Sequence, residues 1–335
     1  MRLFASLCLS SFLLAGAAGA QEQTPFARNS ITIYVGNTAG GTYDLYARLV
    51  SRHLGNVLTG KPSIVVENMP GAGSLRAANY IYNVAPKNGT AMGIISENLA
   101  IEQALRNPAV QFDASKLTWV ARVGPAAAVH VVWNTAKAQS IEDAKKHEMT
   151  VAGTGPGNLA EVIPLLLNPL IGTKFKVIRG YPAANEALLA MERGEVEGAS
   201  ANWMTIKVQK RDLLAQGKIK VILQDLPTRL PDLPDVPALA ELGDTPEAKQ
   251  LTGLYASVGS IGRSFFAPPG VPQAIAEQLR TGFMTMMKDP AFLADAQKSS
   301  LDLLPAGGDE LQLSVAKTLA IPEETIKRAQ EIFQR

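Results

Sequence analysis

The chain has 335 residues, 47% of them hydrophobic, with 32 basic against 30 acidic side chains and a net charge of +2. That is enough for a sizeable core and for more than one domain, and the balanced charge, with no basic stripe interleaved with aromatics, excludes a nucleic-acid surface. Residues 1–20 read as a cleaved export signal: Arg2, an apolar run from Leu3 to Leu14, and the small residues Ala18-Gly19-Ala20. That run is too short to span a bilayer, and no later stretch is long and apolar enough to do so. Cys8, the only cysteine, falls inside the signal, so the mature chain has no disulfide, thiol nucleophile or cysteine–metal site. Loss of Arg2 lowers the net charge to about +1. An exported protein of a bacterial periplasm fits these features.

Residues 31–35 alternate Ile31, Ile33 and Val35 with Thr32 and Tyr34, which predicts a strand. The glycine-rich turn 36–41 follows, and Leu45, Leu49, Val50 and Leu54 then recur at helical spacing. The first amides of a helix have no intrahelical partner and lie at the positive end of its dipole. Gly40 and Gly41 let the backbone approach a ligand closely, so this turn suits a carboxylate or phosphate; taken alone it also reads as an ordinary connection. Asp44 caps the helix or lies in its first turn. Residues 63–67 and 91–95 predict two more strands, each ending in a polar turn: Asn68 to Ser74, then Ser96-Glu97-Asn98. Gly71 and Gly73 serve ligand contact or backbone geometry alone. Three such units describe a doubly wound parallel sheet whose ligand rim lies beyond the strand ends.

Gly124-Pro125 marks a crossing into a second unit of the same architecture. Strands are expected at 129–133, 149–152, 176–179, 196–200 and 219–223, with helices at 159–167 and 183–193. Four prolines between Leu226 and Pro237 read as a stiff return linker. Residues 240–262 give no clear pattern. Pro272 opens a helix buried through Ile275, Leu279 and Phe283, and a last helix covers roughly 323–333.

Catalytic and metal signatures are missing. The three histidines, His53, His130 and His147, lack metal-pair spacing, and there is no Gly-x-Ser-x-Gly elbow. His53 and His147 read as exposed helix positions and His130 as a core or rim residue. Gly153-Thr154-Gly155-Pro156-Gly157 lacks the Gly-Lys-Ser/Thr of a phosphate loop, and Asn158-Leu159 breaks a dinucleotide fingerprint. The reading is therefore a binder with no catalytic residue, metal or cofactor. Two facing α/β lobes make a cleft that closes by a hinge.

The order of the motifs resembles the substrate-binding receptors of tripartite tricarboxylate transporters, the Bug-type family. The matching segments are Ala39 to Asp44, Val66 to Gly73, Pro86 to Thr90, the loop from Gly153 to Gly157, Arg229 with Pro234 to Glu241, and Ala267 to Pro272. Together they cover nearly the whole mature chain. The resemblance implies a two-lobed α/β periplasmic binding protein of the Venus-flytrap type, with lobe 1 from 28–124 plus 229–335 and lobe 2 from 125–228. It implies a monomer that binds a small di-, tri- or aromatic carboxylate and delivers it to membrane transporter subunits. Carried over by position, the first-lobe contacts are Asn37, Thr38, Gly40, Gly41, Thr42 and Asp44. Those of the second lobe are Thr154, Gly155, Gly157 and Asn158, with Asn202 at a later strand end. Ser96 and Asn98 are lesser candidates.

The sequence also departs from the family pattern. Asn37 and Thr38 stand where an aromatic and a proline are usual, Tyr43 where a small residue is, and the histidine common after the second-lobe glycines is absent. A reshaped pocket follows, in which Tyr43, Tyr181 and Trp203 are available to stack on an aromatic ring. Arg263 either clamps a distal carboxylate in bidentate fashion or is a surface arginine. Arg179 has a weaker version of the same claim. Glu97 repels an anion if it faces inward, and so is expected to point away or to pair with a cation. A TRAP or ABC receptor (Gly40 to Tyr43 is reminiscent of one TRAP group), an exported two-domain enzyme acting on a small carboxylate, and a signalling sensor are the alternatives.

Overall fold

The structure is a computed structural model that describes Phe26, residues 30–155 and residues 158–333. The expected export signal and Gly157 lie outside the described residues.

The strands are β1 (Ile31–Val35), β2 (Ile64–Asn68), β3 (Ala91–Ile94), β4 (Thr118–Gly124), β5 (Ala128–Trp133), β6 (Met149–Gly153), β7 (Phe175–Arg179), β8 (Gly198–Asn202), β9 (Ile219–Gln224), β10 (Arg263–Ala267) and β11 (Ala306–Gly307). They form two sheets, ordered β11-β4-β10-β3-β1-β2 and β7-β6-β8-β5-β9. In the first sheet β1 runs parallel to β2 and β3, whereas β10 is antiparallel to β3 and β4. In the second, β6 runs parallel to β7 and β8, and β5 is antiparallel to β8 and β9. The two-lobed α/β fold is the expected one, but the sheets are mixed rather than purely parallel: β10, which joins the first sheet after the return crossing, and β5, which opens the second sheet after the outward one, both run antiparallel to their neighbours.

Strand β1 shows why the first sheet is covered on both faces. Ile31, Ile33 and Val35 pack with Tyr46, Leu49, Val50 and Leu54 of the helix Thr42–Val57. Tyr34 points the other way, into a cluster with Leu75, Ala78, Ile81, Trp119 and Phe266. Alternation along a strand sends successive side chains to opposite faces, so a central strand with helices on both sides reads as almost continuously apolar. The second sheet is likewise packed on both faces.

Among the described residues the strands change sheet twice along the chain. Residues 125–127 join β4 to β5, and residues 225–262 lead from β9 back to β10. Asp225 donates its amide to Ala128 O at 2.9 Å, which ties the two crossings together. The proline-rich stretch is pinned by Gln224 Nε2, which donates to Leu233 O and Val236 O, and by Arg229, which forks onto Glu241. The segment with no clear sequence pattern contains the helices Pro246–Ala256 and Val258–Ile261.

The expected assignment of 229–335 to the first lobe needs correction. Strand β10 and the helices Gln273–Met286, Pro290–Lys298 and Gly308–Leu319 pack on the first sheet. Leu239, Leu251, Leu254 and Tyr255, and Ala329 of the last helix Glu323–Phe333, instead join the core of the second sheet beside Ile163 and Leu167. Burial of those apolar faces decides the lobe, and chain order does not. His53 is another correction: it is half-buried and bonds Asp295 at 2.8 Å. Among the described residues no helix is long and apolar enough to cross a membrane.

Candidate functional site

A cavity of about 810 Å³ opens between the two sheets and is lined from both. It lies where strands end and helices begin. The residues at or just before the starts of the helices Leu75–Asn83, Leu99–Ala104, Leu159–Ile171, Ala184–Glu192 and Trp203–Gln209 all border it. Helix N-termini present unpaired amides and a positive dipole end, so this rim favours a small anion.

Asparagines sharpen that preference. Asn158 Oδ1 accepts from the Ala160 amide and Asn202 Oδ1 from the Met204 amide, each at 3.0 Å, so both are helix N-caps. With the carbonyl oxygen used in the cap, the group each has left to offer is its Nδ2 donor. Asn98 Oδ1 similarly accepts from Ser96 Oγ at 2.9 Å. Ser74 Oγ donates to Gly36 O at 3.2 Å and stands 3.2 Å from Asn37 Oδ1. A carboxylate only accepts hydrogen bonds, and the Nδ2 groups of Asn98, Asn158 and Asn202 are donors that can meet one, whereas the single hydroxyl hydrogens of Ser74 and Ser96 are already given to protein acceptors.

Two features hold the first-lobe loops in place. Gly36 allows the end of β1 to approach Ser74: a Cβ at Gly36 would stand 2.5 Å from Ser74 Cβ. Ser74 itself has a left-handed backbone, φ 77°, as does Ala72 at 48°. Non-glycine residues held at such angles store strain of about 1–3 kcal/mol each and concentrate at ligand sites. The second feature is Asp44, whose carboxylate accepts from the Gly40 amide at 2.8 Å, Arg48 Nε at 2.9 Å and Asn68 Nδ2 at 3.0 Å. Burial pushes its pKa up, but hydrogen bonds from Arg48, Gly40 and Asn68 outweigh that and hold it below the usual carboxylate value.

Charge in the cavity is concentrated on one wall. Arg263 Nη1 donates to Glu97 Oε2 at 2.6 Å, and its guanidinium lies 4.2 Å from the centre of the Tyr43 ring. The Tyr43 hydroxyl also donates to Glu97. Arg263 Nε is buried without a hydrogen-bond partner. Glu102 borders the same space, and one of its oxygens accepts from Asn107 Nδ2 at 2.7 Å.

A family model described as "Tripartite tricarboxylate transporter family receptor" matches residues 46–333. The chain belongs to that receptor family. A UPF0065 protein of Bordetella bronchiseptica is 24% identical over 98% of this chain and 92% of its own. Another, from Agrobacterium vitis, is 26% identical over 91% of this chain and 84% of its own. Among solved structures, a TctC solute-binding protein from Polaromonas is similar in fold, with TM-score 0.69 and 18% identity over 90% of this chain and 99% of that one. MatC from Rhodopseudomonas palustris, with bound malate, has TM-score 0.60 and 20% identity over 91% and 98% of the two chains. A further R. palustris protein, with adipate, has TM-score 0.63 and 20% identity over 90% and 98%.

In this receptor the cavity brings together Asn37, Tyr43, Ser96, Asn98, Thr154, Asn158, Asn202 and Arg263 from the residues singled out in the sequence. Thr38, Gly40, Gly41, Asp44, Gly155 and Tyr181 do not line it, and Thr42 borders a smaller cavity of about 170 Å³ that also touches Asn202. The Gly40 amide is already bonded to Asp44, so that carboxylate braces the loop and does not face the cavity. Trp203 is no stacking platform: it is buried, and its Nε1 donates to Asp232 Oδ2 at 3.2 Å. Arg179 pairs with Glu161 at 2.6 Å and lines a side pocket next to the main cavity. Arg263 is buried and faces the cavity, with Nη1 given to Glu97, which matches its charge, and Nε without a partner. The sequence reading missed Glu102, Asn107 and Leu75, and left the Asn68 to Ser74 turn, whose Gly73 and Ser74 line the cavity, open between ligand contact and backbone geometry. The Val66 to Gly73 motif was the available signal for that turn.

Proposed function

We propose that this receptor captures one small carboxylate-bearing solute between its lobes and presents it to a membrane transporter. One observation carries the reading: a cavity walled by both sheets and ringed by helix N-termini, with asparagine donors from each side. A ligand bridging two lobes favours the closed arrangement by its differential affinity for it, which gives a transporter a way to tell loaded from empty receptor. The proposed contacts are Asn37 and Asn98 from the first lobe and Thr154, Asn158 and Asn202 from the second. Proposed action is outside the cytoplasmic membrane, after removal of residues 1–20, and without catalysis.

A thermal-shift screen of the mature protein against mono-, di-, tri- and aromatic carboxylates, amino acids and sugars tests the reading. A ligand that binds only the folded state raises the melting temperature by mass action. A shift with a carboxylate-bearing compound is expected. Shifts with sugars alone would overturn the proposal.

A further inference from the structure

We infer that the cleft takes a monocarboxylate whose other end is cationic, an amino-carboxylate zwitterion, and disfavours a second carboxylate. This rests on the receptor reading above and narrows its ligand.

The argument comes from where the charges stand. Among the described residues, every charged side chain lining the cavity comes from the first-lobe side: Glu97, Glu102 and Arg263. Two carboxylates against one guanidinium leave that wall net negative. Arg263 is not a spare cation, because Glu97 matches its charge at 2.6 Å and Tyr43 covers its face. The pair is enclosed, with side chains 8% and 14% exposed, so solvent screens it little. Glu102 keeps one oxygen beyond its bond from Asn107.

The opposite wall contains Thr154, Asn158, Ser200 and Asn202 and no charged side chain. It has helix N-termini and amide donors, which suit one carboxylate. The cleft is thus polarised: donors without charge on the second-lobe side, a net acidic wall on the first. A dicarboxylate held by the second-lobe wall meets Glu97 and Glu102 with its far end, whereas an ammonium there gains charge-assisted hydrogen bonds.

Calorimetric titration of the mature protein with matched pairs tests this: succinate against beta-alanine, and glutarate against gamma-aminobutyrate, each pair differing only in the far group. A panel of neutral and basic alpha-amino acids is titrated alongside. At least tenfold tighter binding of an amino acid than of its matched diacid is expected. Glu102→Gln should weaken amino-acid binding about tenfold while leaving diacids unchanged or improved. Glu97→Gln should free Arg263 and raise diacid affinity at least tenfold. Diacids binding wild-type protein as tightly as the amino acids, or more so, would overturn the inference and leave the receptor reading intact. No heat from any carboxylate-bearing compound would overturn the receptor reading itself, and this inference with it.

Discussion

Arg263 and Glu97 form an ion pair 2.6 Å long inside the interlobe cavity, sealed by the Tyr43 ring. They stand 166 residues apart in the chain: Glu97 follows β3, and Arg263 opens β10, the antiparallel neighbour of β3. Breaking a buried pair by removing one partner leaves the other charge uncompensated and costs about 3–5 kcal/mol, more than the pair itself is worth. Glu97→Ala and Arg263→Ala should therefore each lower stability by about 3 kcal/mol. The double variant should lose clearly less than the sum. Urea unfolding of the four proteins measures this; additive losses would show that the two side chains act independently.

Asp44 should behave as a brace for the loop at 36–44. Removing it leaves the Gly40 amide and one hydrogen of Asn68 Nδ2 without an acceptor, the other still going to Asn37 O, and releases Arg48 Nε. Asp44→Ala is expected to cost about 1–3 kcal/mol and to weaken ligand binding in parallel. Denaturant melts combined with titration check this. Loss of binding with unchanged stability would instead make Asp44 a direct ligand contact.

Gly36→Ala tests the contact between β1 and Ser74. The added methyl would meet Ser74 Cβ at 2.5 Å, Ser74 Oγ at 2.6 Å and Ile95 Cγ2 at 3.0 Å. Ser74 has little room to yield, because its backbone is already left-handed. A loss of about 2 kcal/mol is expected, read as a lower urea midpoint with an unchanged slope. A neutral variant would mean that the Ala72–Ser74 turn relaxes freely.

Acid stability should depend on Asp295. Hydrogen bonds from Arg52 and then His53 hold its pKa at about 2, below the ordinary 3.8. A carboxylate with a depressed folded-state value stabilises the protein above its unfolded value and loses that contribution as pH falls. The window here runs from about pH 4 down through about pH 2. Asp295→Asn should lower stability near neutral pH by about 1 kcal/mol and should lose less than wild type across that window. Parallel acid curves for the two proteins would contradict this.

Much of the fold was legible because period-two and helical patterns are local. Ile31, Ile33 and Val35 marked β1, and glycine-rich stretches marked the strand-end turns that border the cavity. The helical register was less secure. Leu45 looked like core but is 44% exposed, while Tyr46 is buried, because an aromatic with a polar tip does not stand out in an apolar count. Strand β4 was missed because Arg122 interrupts its apolar run; the side chain is buried by donating to Ser260 O and Leu304 O and by pairing with Glu310. The candidate site was legible in its strand-end loops and illegible in its charges. Whether Arg263 met a ligand or Glu97 depended on β3 and β10 being neighbours, a pairing of residues far apart in the chain that no local pattern encodes.

The most direct test of the central claim is calorimetric titration of wild-type protein and of Asn37→Ala and Asn202→Ala, one variant from each lobe, with the carboxylate-bearing compound that gives the largest thermal shift. Saturable binding by wild type, weakened at least tenfold in both variants, is the predicted result. Undiminished affinity in both would mean that the ligand does not bridge the lobes through this cavity.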